Sequence, residues 1–395
     1  MTPRLYYDDP YLCEFEADVV ATADNGRRVF LDRTAFYPDS GGQPCDHGEI
    51  GGVKLTAVEE EESSGRIAHI LESPLAPGRV KCRIDWARRF DHMQQHSGQH
   101  VLSAALMELF HLETVSFHLG QEVSTIDLQT AELSAGQVRQ AERRANQIVF
   151  ENRPVRILYA DSGSGNLGLR KASGRGGELR IVEVEGFDRS ACGGTHVRAT
   201  GEIGPILIRK LDKIRGNVRL EFLCGFRAVA RARADFEALS RIARALCSPL
   251  DDAPALVESH LERLTASEKT VKKLASELAV WQGRQLYETT EPEAGGFRLV
   301  WRREPQGPLG DEIRVLAQSF AAGGKAVFLA YCDQPPSLML CVSADSGFHA
   351  GQILKAAVTA AGGRGGGNAQ IAQGSVPAPD RLPAALEAIR AALKL

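Results

Sequence analysis

Apolar and polar positions alternate with a period of two along the first 85 residues, most clearly over 12–22 and 28–32. That is the spacing of strands with one buried face. Asn25-Gly26, between the two runs, is a hairpin signal, and Gly48 to Gly52 and Pro74 to Gly78 punctuate further strands. The pattern predicts a small, glycine-punctuated β-barrel or sandwich over residues 1–85, with the aperiodic stretch 37–43 as a loop. From residue 86 to about 160 the pattern becomes mainly helical. Asp91 is placed to cap a helix that continues to about Phe110. Residues 116–128 alternate as a strand pair, Ser134 to Gln137 opens a second helix through Phe150, and 155–159 reads as a buried strand. Residues 160–180, which include Gly174-Arg175-Gly176-Gly177, are glycine-rich and basic, and read as a surface excursion, with a mobile loop near an RNA end as the alternative. Strands at 180–184 and 218–223 complete a two-layer α+β arrangement for residues 86–225.

Residues 226–290 change character to long helices, with Pro249 and Pro254 marking a turn between two of them. In the second helix Val257, Leu264, Val271 and Leu278 share one heptad position and Leu274 and Trp281 the partner position, while His260 and Ser267 interrupt the second row. This is an imperfect coiled-coil seam, suited to packing within the chain or to a dimer arm. Residues 291–395 predict an α/β unit, with strands at 297–301, 325–331 and 337–342 and helices at 311–321, 351–361 and 381–393. Between the last two helices lies a glycine run, 362–370, containing Gly365-Gly366-Gly367-Asn368. Backbone N–H groups of such a loop can cradle phosphate; a tight packing loop is the alternative. The expected fold class is therefore α+β: a small N-terminal β-barrel, a two-layer α+β domain, a helical linker and an α/β C-terminal domain.

Composition narrows the class. An apolar share of 43% with 25% charged residues is that of an ordinary globular protein, not of a disordered or fibrous one. No run approaches the ~18 apolar residues of a membrane helix, and the N-terminus has no signal pattern. Eight scattered cysteines form no disulfide framework, which points to a reducing cytoplasm. A net charge of −3 does not advertise nucleic-acid binding. The charge is uneven, however: Arg209, Lys210, Lys213, Arg215 and Arg219 cluster, and further arginines follow from Arg227 to Arg244. Such a run is either a solvated face or a face for RNA.

The chemistry concentrates in two short motifs. His96-Ser97-Gly98-Gln99-His100 puts two imidazoles one helical turn apart on one face. Cys192-Gly193-Gly194-Thr195-His196 offers a thiolate and an imidazole at the same spacing. Together they form a nitrogen/sulfur set that favours zinc over magnesium or calcium. Spacing alone leaves His92, His96 and His100 as alternatives, and a purely structural zinc stapling two halves of a domain is the plainer explanation.

These motifs, with Ser116-Phe117-His118-Leu119-Gly120 and Phe36-Tyr37-Pro38-Asp39-Ser40-Gly41-Gly42-Gln43-Pro44, resemble the zinc-binding editing domain of alanyl-tRNA synthetases and of free-standing AlaX-type trans-editing proteins. The resemblance covers roughly residues 1–225. It selects His96, His100, Cys192 and His196 as ligands of one Zn2+ per chain, and implies Thr34 and Gln43 as catalytic-pocket residues, the threonine as a sensor for a serine hydroxyl. The glycine run resembles that of DHHA1 domains, which implies an RNA-binding or dimerisation module. Arg209, Lys210, Lys213, Arg215 and Gly365 to Asn368 are accordingly the candidate tRNA-binding residues.

What the resemblance implies is an ATP-independent, cytoplasmic hydrolase that removes serine or glycine from mischarged tRNA(Ala) by cleaving the 3′-terminal ester. Its partner would be tRNA, with no membrane, and a homodimer would form through the helical linker or the C-terminal domain. A catalytic zinc keeps one position open. The expectation is therefore three protein ligands plus water, with His196 the exchangeable one and no carboxylate base beside the motif. A non-catalytic, zinc-stapled tRNA-binding or assembly protein is the alternative from another class. A DHH-type phosphoesterase is disfavoured because Asp91-His92 is followed by Met93 and Asp46-His47 by Gly48. A full synthetase is disfavoured because the editing-like segment begins at the N-terminus.

Overall fold

The computed structural model describes residues 2–172, 174, 176–293, 295–305 and 307–394, so Arg175 of the glycine-rich excursion lies outside the described residues. The chain divides into two compact units, Met1–Ile242 and Ala243–Leu395. The helical stretch expected as a linker is thereby shared between them.

The first unit begins with six strands: β1 (Glu14–Ala23), β2 (Arg28–Leu31), β3 (Gly48–Ile50), β4 (Val53–Glu60), β5 (Ile67–Leu71) and β6 (Gly78–Ile84). They close into an antiparallel barrel in the order β1-β2-β5-β4-β3-β6, so no strand edge is left for a foreign chain. The alternation in the sequence is the reason: Ala17, Val19, Val29, Leu31, Ile50, Leu55, Val58, Ile67, Cys82 and Ile84 all point into one core.

Helix α1 (Trp86–Phe110) follows directly. Its cap is Asp85, whose side chain accepts from the Arg88 N–H at 3.2 Å. The expected cap, Asp91, instead lies inside the helix and takes the Arg227 guanidinium at 2.6 Å. Residues 92–106 of α1 are buried on every side, polar ones included. Several of these burials are compensated by hydrogen bonds: Gln94 donates to the Glu202 carbonyl, Gln95 pairs with both backbone groups of Cys224, and Ser97 accepts from the Val197 N–H.

The rest of the unit wraps α1: β7 (Thr114–Leu119), β8 (Ser124–Leu128), α2 (Ala135–Phe150), β9 (Val155–Asp161), β10 (Glu178–Val184), β11 (Asp188–Ala191), β12 (Ile206–Ile214), β13 (Asn217–Cys224) and α3 (Gly225–Ala245). A four-stranded antiparallel sheet, β12-β13-β8-β7, carries α1 and α2 on a shared core of Met93, Leu102, Leu106, Ala141, Ile148, Leu220 and Phe222. This is the expected two-layer arrangement. Ser134 and Gln137 form a reciprocal capping box that starts α2. A smaller sheet, β11-β10-β9, supports the Cys192 loop. The strand at 155–159 forms, but it is not buried: Leu158 and Tyr159 are 36% and 48% exposed, because β9 is an edge of that sheet.

A buried ion pair fastens the barrel to α1. Arg89 and Asp46 are both 0% exposed and share two guanidinium nitrogens. Arg89 also donates to the Pro10 and Ala35 carbonyls at 2.8 and 2.6 Å, and Asp46 accepts from the Tyr37 N–H at 2.6 Å.

The second unit contains α4 (Ala253–Thr289), β14 (Arg298–Glu304), α5 (Asp311–Ala321), β15 (Ala326–Asp333), β16 (Pro336–Val342), α6 (Ala350–Ala360), β17 (Arg364–Gly367), β18 (Ile371–Ser375) and α7 (Leu382–Leu393). Its sheet runs β14-β15-β16-β18-β17, with only β14 and β15 parallel. The glycine run is not a loop. Residues 364–367 form the outermost strand, paired with β18, and Asn368 turns the hairpin by accepting from the N–H groups of Gln370 and Ile371 at 2.9 Å. Side-chain periodicity cannot announce a strand that has almost no side chains. Among the described residues no helix is long and apolar enough to cross a membrane.

Candidate metal centre

Four side chains from two distant segments converge in the first unit. The ligand atoms of His96, His100, Cys192 and His196 all lie within 4.8 Å of one another. Cys192 Sγ is 3.4 Å from both His96 Nε2 and His196 Nε2. Two ligands at bond lengths of about 2.0 and 2.3 Å on a tetrahedral zinc stand about 3.5 Å apart, so the spacing fits that ion. His92, the third histidine of the α1 row, is buried outside this group.

A different side chain also stands behind each imidazole, facing its Nδ1. Gln43 Oε1 lies 2.8 Å from that of His96, Asp188 Oδ2 3.4 Å from that of His100, and Ser97 Oγ 3.1 Å from that of His196. Such outer partners fix the ring and leave Nε2 aimed at a metal. Asp188 is a carboxylate beside the cluster, but it sits behind a ligand and not in front of it, so it is not placed as a base.

Local backbone explains these positions. Gly41 and Gly42 have φ of +59° and +83°, and Ser40 and Gln43 exchange backbone hydrogen bonds across them. That is the two-residue turn that needs positive φ twice, and it delivers Gln43 behind His96. A Cβ on Gly194 would stand 2.2 Å from His96 Cε1, so the Cys192 loop approaches α1 only because that residue is glycine. Arg180 clamps the same loop, donating to the Cys192 and Gly194 carbonyls at 2.7 and 3.0 Å.

The cluster sets its own charges. Burial is the largest influence on Cys192 and pushes its thiol up, but the charges of His96 and His196 and bonds from His100 and His196 hold it well below the ordinary thiol range. Burial likewise works against a charged His100, yet Asp188 and Cys192 raise it to about 9. Burial, then the neighbouring His96, lowers His196 to about 3. The metal-free cluster thus holds a thiolate beside a protonated His100. At neutral pH an incoming metal displaces that proton. Zinc uptake at pH 7.5 should therefore release about one proton per chain, with affinity rising about tenfold per pH unit up to about pH 9. Calorimetry in buffers of different ionisation enthalpy reads this directly, and proton-neutral uptake would contradict it.

The other implied residues are placed differently. Gln43 is 0% exposed and fully engaged: Oε1 also accepts from the Thr195 N–H, and Nε2 donates to Thr195 Oγ1. It reaches the centre through His96. Thr34 is also 0% exposed, inside the barrel, with its hydroxyl 2.8 Å from His69 Nε2 and accepting from the Phe36 N–H. Burial pushes His69 down to about 4, and its Nδ1 faces the Val29 carbonyl. Nε2 is therefore an acceptor for the Thr34 hydroxyl. Replacing Thr34 with valine strands His69 Nε2 and the Phe36 N–H and should cost about 1–3 kcal/mol, seen as a lower melting temperature that Thr34→Ser largely restores. An unchanged melt for the valine variant would contradict the pairing.

Of the basic residues, Arg209 is held by Asp235 and Lys210 by Asp212, while Lys213 and Arg215 are exposed beside the β12–β13 turn. Gly365 to Asn368 lie in the second unit, on the β17 edge and its turn.

The chain is 31% identical to the alanyl-tRNA editing protein AlaX-L of Pyrococcus horikoshii, over 100% of both chains. It belongs to the alanyl-tRNA editing protein family. Within that family's wider kin, alanine–tRNA ligases of Korarchaeum cryptofilum and Pyrococcus furiosus match at 34% and 32% identity over 100% and 99% of this chain. The chain spans about 45% and 44% of those ligases' own lengths. The model of the threonyl and alanyl tRNA synthetase second additional domain matches residues 179–220, and that of the DHHA1 domain matches 310–395. The editing-family motifs gave the four convergent side chains. They did not give Asp188, Arg180 or Ser97, although Ser97 lies between the two histidines and Asp188 four residues before Cys192.

Proposed function

We propose that the protein is a zinc-dependent trans-editing hydrolase that deacylates mischarged tRNA(Ala), releasing serine or glycine from the 3′-terminal ester. The observation that carries this is the convergence of the ligand atoms of His96, His100, Cys192 and His196 within 4.8 Å of one another, with Cys192 the least buried of the four. The full-length likeness to an alanyl-tRNA editing protein supports the substrate class.

Zinc held by these four side chains would supply Lewis acidity toward the ester carbonyl. The chain's own residues do the rest. Gln43 fixes the His96 ring and, through Thr195, the Cys192 loop. Thr34 acts at one remove, pinning the Phe36 backbone at the root of the loop that carries Gln43. His196, backed by a hydroxyl and not by a carboxylate, would be the more exchangeable of the residues holding the metal. Lys213 and Arg215, with Arg209 and Lys210, offer a basic face to the tRNA, and the backbone of Gly365 to Asn368 an uncharged second contact. The protein would work in the cytoplasm without ATP.

Hydrolysis of Ser-tRNA(Ala), Gly-tRNA(Ala) and Ala-tRNA(Ala) by the zinc-loaded chain tests this. Loss of serine or glycine with alanine spared is the expected result. Bound zinc with no release of any of the three would leave a zinc-stapled tRNA-binding or assembly protein.

Self-association belongs to the same proposal. On α4, Val257, Leu264, Val271, Leu274, Leu278 and Trp281 are 37–65% exposed, which supports a homodimer built on this seam. Sedimentation should give a dimer for the native chain and a monomer for Leu264→Glu combined with Leu274→Glu. A native monomer at tens of micromolar would remove that part.

A further inference from the structure

The glycine-rich excursion between β9 and β10 carries one residue that turns back into the fold. Arg170, within it, donates from Nε to Asp188 Oδ1 at 2.8 Å and from Nη2 to Ser190 Oγ at 3.0 Å. Ser190 Oγ donates to Asp188 Oδ2 at 3.0 Å, and the Arg170 N–H donates to the Arg189 carbonyl at 2.8 Å. Asp188 is 5% exposed, and its Oδ2 lies 3.4 Å from His100 Nδ1. That nitrogen is buried and, among the described residues, makes no hydrogen bond within ordinary limits. Asp188 is the acceptor poised to take it.

We infer that Asp188 is the positioning carboxylate of the metal centre and that Arg170 locks it in place, so that the chain around Arg170 is docked behind a metal ligand. The inference rests on the metal-centre proposal above. Three physical points carry it. A carboxylate behind a ligating imidazole fixes the tautomer with Nε2 free and makes that nitrogen a stronger donor to the metal. A buried carboxylate needs a partner, and Arg170 supplies two of its nitrogens to Asp188 and the adjacent Ser190. The three imidazoles have unlike outer partners: an amide for His96, a carboxylate for His100 and a hydroxyl for His196. Only His100 is backed by charge, which makes it the anchoring ligand and leaves the others more exchangeable. If Asp188 served only to close the β10–β11 hairpin, neither the approach to His100 nor the reach of Arg170 from outside the hairpin would be needed.

The coupling runs both ways. A metal that seats His100 also seats Asp188 and Arg170, and so holds the excursion down. An excursion pulled away takes Arg170 with it and weakens the grip on His100.

The test uses the full chain with zinc alone as probe. Zinc affinity is measured by chelator competition, the Co2+-substituted protein by its visible absorption bands, and the metal-free chain by its melting curve. Asp188→Asn should lose about 10–100-fold in zinc affinity and shift the cobalt bands. Arg170→Gln, which leaves Asp188 in place, should show a smaller loss in the same direction, partly restored in Arg170→Lys. Zinc should also slow tryptic cleavage after Arg170 and Lys171 of the native chain and lose that effect in Asp188→Asn. Native affinity in both Asp188→Asn and Arg170→Gln, or cleavage indifferent to zinc, would overturn the inference while leaving the metal centre standing. Failure of the native chain to bind zinc would instead overturn the metal centre, and the inference with it.

Discussion

Cys192→Ala should strip the protein of zinc and of deacylation together. Its thiolate is the only sulfur in the cluster and sits at 3.4 Å from two of the three imidazoles. Without it three neutral nitrogens remain, and an affinity loss larger than the 10–100-fold typical of outer partners is expected. Serine release from Ser-tRNA(Ala) should fall to the uncatalysed rate. The fold should survive, because Arg180 grips the loop through the Cys192 and Gly194 carbonyls, which the substitution keeps. Metal content per chain and deacylation rate, measured on the same sample, decide the matter. A variant with full zinc and full activity would show that the cluster is not the catalytic centre. One that loses zinc but keeps activity would make the metal purely structural.

The second large effect is on stability. Arg89→Met should destabilise the first unit by about 3–5 kcal/mol, the cost of leaving one member of a buried pair without its partner. Asp46 then has no cation, and the Pro10 and Ala35 carbonyls lose their donor. For a unit of this size, a fall of roughly 6–20 °C in melting temperature follows. Arg89→Met combined with Asp46→Leu should recover part of it, since removing both charges is far less costly than removing one. A single variant that melts as the native chain does would contradict the pair's role. Asp46 also accepts from the Tyr37 N–H, so the loop bearing Gln43 should loosen as well.

The two metal motifs were legible because each is local: an i, i+4 pair on a helix, and a thiolate and imidazole with the same spacing around two glycines. Their convergence was a matter of family resemblance, since nothing in the spacing says that residues 96 apart meet. Asp188 could not be read. Its link to His100 exists only because the β10–β11 hairpin folds beside α1, and an aspartate four residues before a cysteine has no pattern of its own. The helix start was misplaced from Asp85 to Asp91 because residues 91–100 are polar on all faces, so periodicity gave no boundary. Strand β17 was hidden for the opposite reason, having no side chains from which to read a period. That Gln43 stands behind His96 could not be read either, since it depends on both ends of its amide being taken up by His96 and Thr195.

The total enclosure of α1 has a consequence for how the protein opens. Amide protons from Met93 to Leu106 have no local route to solvent, so they should exchange only when the whole first unit unfolds. The Cys192–Gly193 segment is half-buried and tied down largely by side chains, and belongs to the low end of the opening free energies. The centre therefore has an immobile half, His96 and His100, and a half that can breathe. Excursions of the second half, on timescales too fast to disturb the first, would let a bulky aminoacyl end come and go while two ligands stay in place.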